Sequence, residues 1–281
     1  MPNWFIAMSA SERCARRLRL GIIGWGAIAS RVAQLLAERQ KDDIEIAVVA
    51  VRDTARDRGL PPNARVISHP GELSDLDLDM IIEAAGRPAV DIWGVAALRH
   101  SRRFAVSSTS AFTDEALLDR LLATARETGN RIVVPSGALG DLGMLAAASI
   151  LPLDEVTHSI VKPPRAWRST KAEEFVDLDA LAVRTEFFAG TAREAAAAFP
   201  QNANVAVITA LSGIGLDRTR VALVADPSVA RNVHEIRASG AFGKLELKLE
   251  NEPLAANPKS SEMTALSLVR LIENSVAALV V

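Results

Sequence analysis

Short apolar runs alternate with stretches of helical spacing along residues 18–135. The apolar runs predict buried strands at 18–23, 44–51, 80–86, 103–108 and 131–135. Helical periodicity predicts helices at 28–36, 89–98 and 116–128. Because apolar strands that alternate with helices pair in parallel and are covered on both faces, this half of the chain predicts a doubly wound parallel sheet of the Rossmann type.

The pattern changes after residue 139. Strands are predicted at 156–161, 182–189, 220–225, 234–239 and 243–249, and helices at 191–199, 205–212 and 261–279. They predict a second α/β domain on a largely antiparallel, open-faced sheet. The expected domains are a loose N-terminal extension at 1–17, a first domain at 18–138 and a second at 139–260, with a last helix at 261–281 that packs back on the first domain.

The first strand leads directly into Gly24-Trp25-Gly26-Ala27-Ile28-Ala29, a G-x-G-x-x-A turn at the start of a helix. The first glycine permits a tight bend, and the second lets the backbone approach a pyrophosphate. The N–H groups of Gly26, Ala27 and Ile28 can meet its oxygens. The first domain is therefore expected to bind NAD or NADP, the alternative being a glycine-rich turn that holds no nucleotide.

The second strand ends at Arg52 and Asp53, where such folds meet the adenine ribose. The Asp53 carboxylate would accept a hydrogen bond from the 2′-hydroxyl of NAD. Arg52 could instead face the 2′-phosphate of NADP. The pair does not separate the two coenzymes, and an ordinary charged turn is the alternative for both residues.

The amino-acid composition limits the kinds of molecule that this protein is expected to bind. The 281 residues are 49% hydrophobic and 23% charged, enough for two cores. A net charge of −2, with lysines and arginines scattered along the chain, argues against a nucleic-acid partner. No apolar run reaches the length of a membrane span and the opening residues lack a secretory pattern, so no membrane association and a cytoplasmic location are expected.

The absence or scarcity of certain residue types in the sequence excludes several dehydrogenase mechanisms. The chain has no tyrosine, which excludes the Tyr/Lys short-chain enzymes. The single cysteine, Cys14, precedes the first strand, so neither a catalytic thiol nor a disulfide framework is expected. The four histidines lack metal-ligand spacing, so no metal is expected. Hydride transfer then depends on a histidine, lysine or carboxylate as acid or base.

His234 is the best candidate for that acid or base, because a turn-rich loop leads into its strand and polar residues at strand edges often point into a cleft. A solvated or core histidine is the alternative. His69 and His100 are predicted to be surface residues. His158 lies on a predicted strand and is expected to be structural, with little effect on turnover.

C-terminal to the G-x-G-x-x-A turn, which we call the fingerprint turn, five motifs occur in the order typical of the L-aspartate dehydrogenase family. The resemblance to that family extends from about residue 18 to the C-terminus. The five motifs are Val134-Pro135-Ser136-Gly137-Ala138, Lys162-Pro163-Pro164, Phe199-Pro200-Gln201-Asn202-Ala203-Asn204-Val205-Ala206, Asp226-Pro227 with Asn232-Val233-His234, and Asn257-Pro258-Lys259-Ser260-Ser261.

The resemblance implies reversible, NAD(P)-dependent oxidative deamination of L-aspartate to iminoaspartate, then oxaloacetate and ammonia, with a possible link to NAD biosynthesis. It places the active-site histidine at His234 and the nicotinamide-side contacts at Ala138 and Asn204. A helix N-cap is the alternative role for Asn204. It also implies a homodimer joined through the second domain, whose one-faced sheet has an open side to cover.

Aspartate brings two carboxylates, so its site needs cations or concentrated N–H donors. The candidates for substrate binding are Lys162, Lys259, Ser260, Ser261 and Asn232. Each lysine could equally be a solvated surface residue.

The chain departs from the family pattern at Gly143, where an acidic residue is common, at Ser110, where glycine is common, and at Val161, where arginine often precedes the lysine. These departures bear on substrate affinity more than on reaction type. Two other functions stay open: an NAD(P)H-dependent imine or oxo-acid reductase with another substrate, and a non-catalytic nucleotide sensor.

Overall fold

The computed structural model describes residues 17–39 and 41–280. Cys14 and the predicted N-terminal extension, except for residue 17, lie outside these residues. The described chain forms two large sheets with their helices, and it confirms the predicted α/β class.

Within the described residues, the first sheet has six strands. They are β1 (Leu18–Ile23), β2 (Ile44–Ala50), β3 (Arg65–Ile67), β4 (Leu78–Glu83), β5 (Ser101–Val106) and β6 (Arg131–Val133). Their order is β3-β2-β1-β4-β5-β6, and every pairing is parallel. The strand order reverses between β1 and β4, so the carboxyl ends of these strands border the crevice where ligands bind in such sheets.

The helices of this half are α1 (Ala27–Glu38), α2 (Arg87–His100) and α3 (Glu115–Thr128). Their ends follow local chemistry. The Asp114 carboxylate caps α3 by accepting the Leu117 N–H at 3.1 Å. Gly129 ends the same helix at φ +71°, a backbone conformation that glycine adopts without a Cβ penalty.

The second sheet contains β7 (Leu153–Lys162), β8 (Thr185–Thr191), β9 (Arg220–Ala225), β10 (Asn232–Gly240) and β11 (Gly243–Asn251). Its order is β11-β10-β7-β9-β8, and only the β7–β9 pairing among these strands is parallel. The prediction of a largely antiparallel sheet is confirmed. The short helix α4 (Gly143–Ala148) precedes this sheet, and α5 (Ala192–Ala198) and α6 (Ala203–Ser212) belong to the same half of the molecule.

Side chains alternate between the two faces of the second sheet. On β10, His234, Ile236 and Ala238 are buried, whereas Glu235 is partly exposed and Arg237 is exposed. The buried face packs on α6, because His158 on β7 contacts Thr209 of that helix. The opposite face carries charged pairs, including Arg237 with Glu246.

The chain ends with the hairpin β12 (Pro253–Leu254) and β13 (Asn257–Ser261), followed by α7 (Glu262–Glu273). Ala265, Leu268 and Ile272 of α7 share one apolar cluster with residues of β1 and α1. Two ion pairs, Arg31–Glu262 and Arg39–Glu273, also join α1 to α7. The last helix therefore packs against the first sheet.

Several predicted boundaries were wrong by two or more residues, and two of these differences have a clear physical reason. The strand predicted at 182–189 runs from Thr185 to Thr191, because Val183 is exposed and Thr191 is extended as the N-cap of α5. The helix predicted to reach residue 279 ends at Glu273. Leu279 and Val280 are exposed, so no packing supports further helical turns. Among the described residues, no helix is long and apolar enough to cross a membrane.

Candidate active site

The G-x-G-x-x-A sequence forms the turn from β1 into α1. Gly24 has φ +89°, and a Cβ there would lie 2.6 Å from the Cβ of Ala85, so only glycine fits. A Cβ on Gly26 would meet nothing within 4 Å, which leaves open space beside the backbone. The first turn of α1 has no side-chain cap among the described residues. These features fit a pyrophosphate held by the N–H groups that start α1.

The loop after β2 lies where the adenine ribose is expected. The Asp53 carboxylate accepts the Ala55 N–H at 3.0 Å, and the guanidinium of Arg58 donates to the backbone carbonyl of Asp53 at 2.5 Å. Arg52 and Arg56 are exposed in the same loop. The indole of Trp25 donates to the Arg58 carbonyl at 3.2 Å and so joins this loop to the fingerprint turn. With Asp57, which accepts the Gly59 N–H, two carboxylates and three guanidinium groups therefore belong to one loop.

Glu83, at the end of β4, braces this crevice. Its fully buried carboxylate accepts the N–H groups of Ala85, Gly86 and Ser108 at 2.7, 2.8 and 2.9 Å, and the Ser108 hydroxyl at 2.9 Å. Burial raises the pKa of Glu83, while these donors stabilise the charged form and oppose the shift. The carboxylate thereby fixes the loops after β4 and β5 relative to each other. Sequence reasoning missed it, although a lone acid closing an apolar strand is a usable signal.

Asn204 connects the two halves of the molecule. It lies in the first turn of α6, whose N-cap is Asn202, so the N-cap role considered for Asn204 was wrong. Its Oδ1 accepts the Ser110 N–H at 2.9 Å, and its backbone carbonyl accepts the Thr109 hydroxyl at 3.0 Å. Because the backbone N–H can only donate, the side-chain amide is oriented with its NH₂ group available to another acceptor.

Ala138 follows β6 in a 3-10 turn, Gly137–Leu139. Its carbonyl accepts the Nδ2 of Asn251 at 2.8 Å, so the end of β11 holds this turn. The Oδ1 of Asn251 is buried without a hydrogen-bond partner among the described residues.

A cavity of about 590 Å³ opens beside these residues. None of the described residues that line it is acidic, whereas five are basic: Lys162, Arg165, Arg168, Arg231 and Lys259. Three asparagines, Asn202, Asn232 and Asn251, and the hydroxyl residues Ser169 and Thr170 complete its polar lining. Arg168 pairs with Asp179 and Arg231 with Glu252. No ion pair is found for Lys162 or Lys259 in the described part of the chain, so the cavity carries uncompensated positive charge.

Lys162 ends β7 and is partly buried. Its ammonium donates to the Oδ1 of Asn202 and lies 4.9 Å from the centre of the Trp167 ring. Burial lowers the pKa of Lys162 to about 8. A desolvated ammonium without a carboxylate partner is suited to bind an anionic ligand.

His234 lies on the buried face of β10, two residues from Asn232. Its Nδ1 is 3.1 Å from the Nε2 of His158 on β7, and the Nδ1 of His158 is 2.9 Å from the Thr209 hydroxyl. Burial, with His158 and Lys162, lowers the pKa of His234 well below its usual value, so the ring is neutral at neutral pH. The buried rings of His158 and His234 are therefore in direct contact, which no local pattern in the sequence indicates.

The predicted substrate residues divide into two groups. Lys162, Lys259 and Asn232 line the cavity, together with Asn202 and Asn251, which sequence reasoning missed. Ser260 and Ser261 do not line it. The Ser261 hydroxyl accepts the Met263 N–H at 3.1 Å as the N-cap of α7, and the Ser260 hydroxyl accepts from the Nδ2 of Asn257 at 3.1 Å.

The other two histidines lie in the first half of the chain. His69 caps a 3-10 turn by accepting the Gly71 N–H at 3.1 Å, and His100 is the last residue of α2.

The three departures from the family pattern have separate environments. Val161 is fully buried with Val224 and Val233 on the face of the sheet opposite to Lys162, so its side chain does not point into the cavity. Ser110 uses its backbone N–H to hold Asn204. Gly143 begins α4, where the nearby Asp141 carboxylate accepts its N–H at 2.6 Å. No group of three or more His, Cys, Asp or Glu side chains that could hold a metal is found in the described part of the chain.

Comparisons with known proteins agree with this geometry. Residues 143–275 match the family model "Aspartate dehydrogenase, C-terminal", and residues 24–135 match "Homoserine dehydrogenase, NAD binding domain". An L-aspartate dehydrogenase of Brucella anthropi is 56% identical over 92% of this chain and 97% of its own length. That of Cupriavidus necator is 43% identical over the same shares.

The solved structure of aspartate dehydrogenase from Thermotoga maritima superposes with a TM-score of 0.75 at 26% identity, covering 95% of this chain and 100% of that one. A homoserine dehydrogenase of S. aureus shares the fold, with a TM-score of 0.54 at 17% identity. The resemblance read from the sequence motifs is confirmed, together with the prediction of a dehydrogenase that uses a nicotinamide dinucleotide. The chain belongs to the L-aspartate dehydrogenase family.

Proposed function

We propose that this protein catalyses the reversible, NAD(P)-dependent oxidative deamination of L-aspartate to iminoaspartate, which water converts to oxaloacetate and ammonia. The observation that carries the proposal is the cavity lined by Lys162 and Asn232, where five basic side chains and, among the described residues, no acidic one meet three asparagines. His234 does not line this cavity itself but follows Asn232 by two residues on β10. A four-carbon dicarboxylate complements that charge, whereas a monocarboxylate or a cationic amino acid does not.

The proton transfers fall to His234. Aspartate must lose a proton from its ammonium group before its Cα–H can leave as hydride, and a neutral imidazole can accept that proton. The bound nicotinamide ring supplies the hydride acceptor. After releasing that proton to solvent, the neutral imidazole can take a proton from the water that attacks the carbon of the iminium ion. It can then pass this proton to the nitrogen of the resulting carbinolamine, which leaves as ammonia while the carbonyl of oxaloacetate forms.

Two groups of residues would hold the reactants. Lys162 and Lys259 bind the substrate carboxylates, with Asn232 and Asn202 as neutral partners. The coenzyme would be held by Gly24, Gly26, Ala27 and Ile28 at its pyrophosphate and by Asn204 and Ala138 at its carboxamide. The amide NH₂ of Asn204 is oriented to donate, and the Nδ2 of Asn251 holds the turn that contains Ala138 by donating to the Ala138 carbonyl.

A coenzyme-reduction assay across a panel of amino acids tests the proposed activity. L-Aspartate should give the highest kcat/KM with NAD or NADP, ahead of asparagine, glutamate and alanine. Of these four amino acids, only aspartate carries a second carboxylate that is one methylene away from Cα. Turnover of another imine or oxo acid, without aspartate or oxaloacetate, would favour the reductase alternative. Tight NAD(P)H binding without oxidation of any amino acid would favour the sensor.

The coenzyme choice depends on the loop after β2. Asp53→Ala should weaken NAD more than NADP, because it removes a ribose acceptor and a charge that repels the 2′-phosphate. Asp57→Ala is the matched control, since Asp57 accepts the Gly59 N–H at 3.1 Å in the same loop and is also exposed. Fluorescence titration gives the dissociation constants of both coenzymes for each variant. An equal loss of affinity for NAD and NADP in Asp53→Ala would contradict the placement of Asp53 at the adenine ribose.

A homodimer joined through the second domain is part of the proposal. On the outer face of the second sheet, small side chains at Thr157, Ser159 and Ala222 lie on the inner strands, and charged residues lie towards the rim. Such a face can pack against its own copy by two-fold symmetry. Light scattering should give about twice the 30.0 kDa chain mass for the unmodified protein. Ser159→Arg should reduce the measured mass to that of a single chain. A monomer of the unmodified protein at micromolar concentration would end this proposal.

The cytoplasmic location and the supply of iminoaspartate to NAD biosynthesis stay predictions.

A further inference from the structure

A chain of hydrogen-bonding groups runs from α6 to His234 through the interior of the second domain. The Thr209 hydroxyl lies 3.0 Å from the carbonyl of Val205 and 2.9 Å from the Nδ1 of His158. The Nε2 of His158 then lies 3.1 Å from the Nδ1 of His234. Thr209 and His158 are fully buried, and His234 is 4% exposed. Buried polar groups of this kind are paired, so each proton in the chain has a definite place.

The carbonyl at one end fixes the direction of the chain. The Thr209 hydroxyl has one proton and two neighbours at hydrogen-bond distance, and the Val205 carbonyl can only accept. Both contacts are hydrogen bonds only when Thr209 donates its proton to Val205, and this is the arrangement we adopt. The Thr209 oxygen then accepts from His158, whose proton lies on Nδ1. In the neutral imidazole of His158, Nε2 is left as an acceptor and receives the Nδ1–H of His234. The remaining nitrogen of His234, Nε2, carries a lone pair.

We infer that Thr209 and His158 are positioning residues that hold His234 in the tautomer with an unprotonated Nε2, the form that can act as a base. The inference rests on the proposed role of His234 and adds two residues that touch neither substrate nor coenzyme. It also changes the expectation from the sequence that substitution of His158 has little effect on turnover. The arrangement matches the general rule that a catalytic histidine is oriented by the partner of its other nitrogen.

The tautomer can be observed without any activity measurement. Long-range ¹⁵N–¹H correlation spectra of histidine-labelled protein distinguish protonated from unprotonated ring nitrogens, and His69 and His100 serve as internal references. For His234 we expect a protonated Nδ1 and an unprotonated Nε2 in the free protein near neutral pH. A protonated Nε2 would overturn the inference, because it would mean that the chain runs in the opposite direction.

Thr209→Val removes the oxygen that receives the His158 proton while preserving side-chain volume. His158 should then move its proton to Nε2 and donate to His234, which shifts the His234 proton to its own Nε2. We expect kcat for aspartate to fall by about 10- to 100-fold, the usual effect of losing an outer partner, with KM for the coenzyme unchanged. The spectrum should show the reversed tautomer. Thr209→Ser, which keeps the hydroxyl, should retain most of the activity.

His158 offers a second pair of variants. His158→Gln retains an acceptor for the His234 Nδ1–H, whereas His158→Leu does not, so the glutamine variant should have the higher kcat. Unchanged kcat in both Thr209→Val and His158→Leu would refute the positioning role of these two residues. If either variant fails to fold, the tautomer of the unmodified protein still decides. Failure of the proposed function is distinct, since it would appear as no turnover of aspartate whatever the tautomer.

Discussion

Replacement of His234 by alanine should lower kcat for L-aspartate by about 10²–10⁴-fold, the range that a positioned general acid or base contributes. The reason is that the substrate ammonium and the attacking water lose their proton acceptor. The coenzyme contacts that we propose, the fingerprint turn and Asn204, are unchanged by this substitution, so the dissociation constant for NADH should change little. Steady-state kinetics at saturating aspartate, with a fluorescence titration of NADH, separates the two effects.

The matched control is His100→Ala at the end of α2, outside the cavity. It should leave kcat unchanged. A folded His234→Ala protein with near wild-type kcat would show that His234 is not the base, and Lys162 would then be the next residue to replace.

The pH profile gives a second check on the same residue. Because burial lowers the pKa of His234, its neutral form persists to lower pH than that of an exposed histidine. The groups that act on it are His158 and Lys162 of β7. The acid limb of kcat/KM should therefore lie below pH 6.5, the ordinary histidine value, after correction for substrate ionisation. A limb centred at or above that value would indicate a different acid or base.

Much of the fold could be predicted because its signals are local. The apolar run 18–23 and the glycine turn behind it lie within one segment, and β1 has the predicted bounds. The short strand β3 was missed, because three residues give no readable alternation. The end of α7 was misplaced, because the apolar residues 277–280 look helical in sequence but are exposed and do not pack on the molecule.

The candidate site could be predicted only in part, because strand register decides which distant side chains meet. Val233 pairs with Val161 and Asn232 with Asn251, which brings the ends of β7, β10 and β11 together. No periodicity in the sequence encodes that register. The motif containing Asn202 was recognised, but its contact with Lys162 spans 40 residues. His158 and His234 are 76 residues apart, and only the fold shows that their rings touch.

Replacement of Lys162 by methionine should raise KM for L-aspartate by about 10- to 100-fold, because the loss of a hydrogen bond from a charged group costs about 1.5–3 kcal/mol. Methionine keeps the length and the packing against Trp167 while removing the charge. The effect on kcat should be smaller than that of His234→Ala, since Lys162 binds the substrate rather than moving its proton. Lys171→Met is the control, because Lys171 is exposed and does not line the cavity.

The pH dependence of inhibitor binding isolates the charge of Lys162. Succinate has the two carboxylates of aspartate but no amino group, so it does not titrate in the alkaline range. Since burial lowers the pKa of Lys162 to about 8, its ammonium is charged below that pH and neutral above it. The inhibition constant of succinate should therefore rise as the pH increases through 8 in the unmodified protein. In Lys162→Met the constant should be higher throughout and flat across the same range. A rise of equal size in both proteins would assign the titration to another group and remove Lys162 from the carboxylate site.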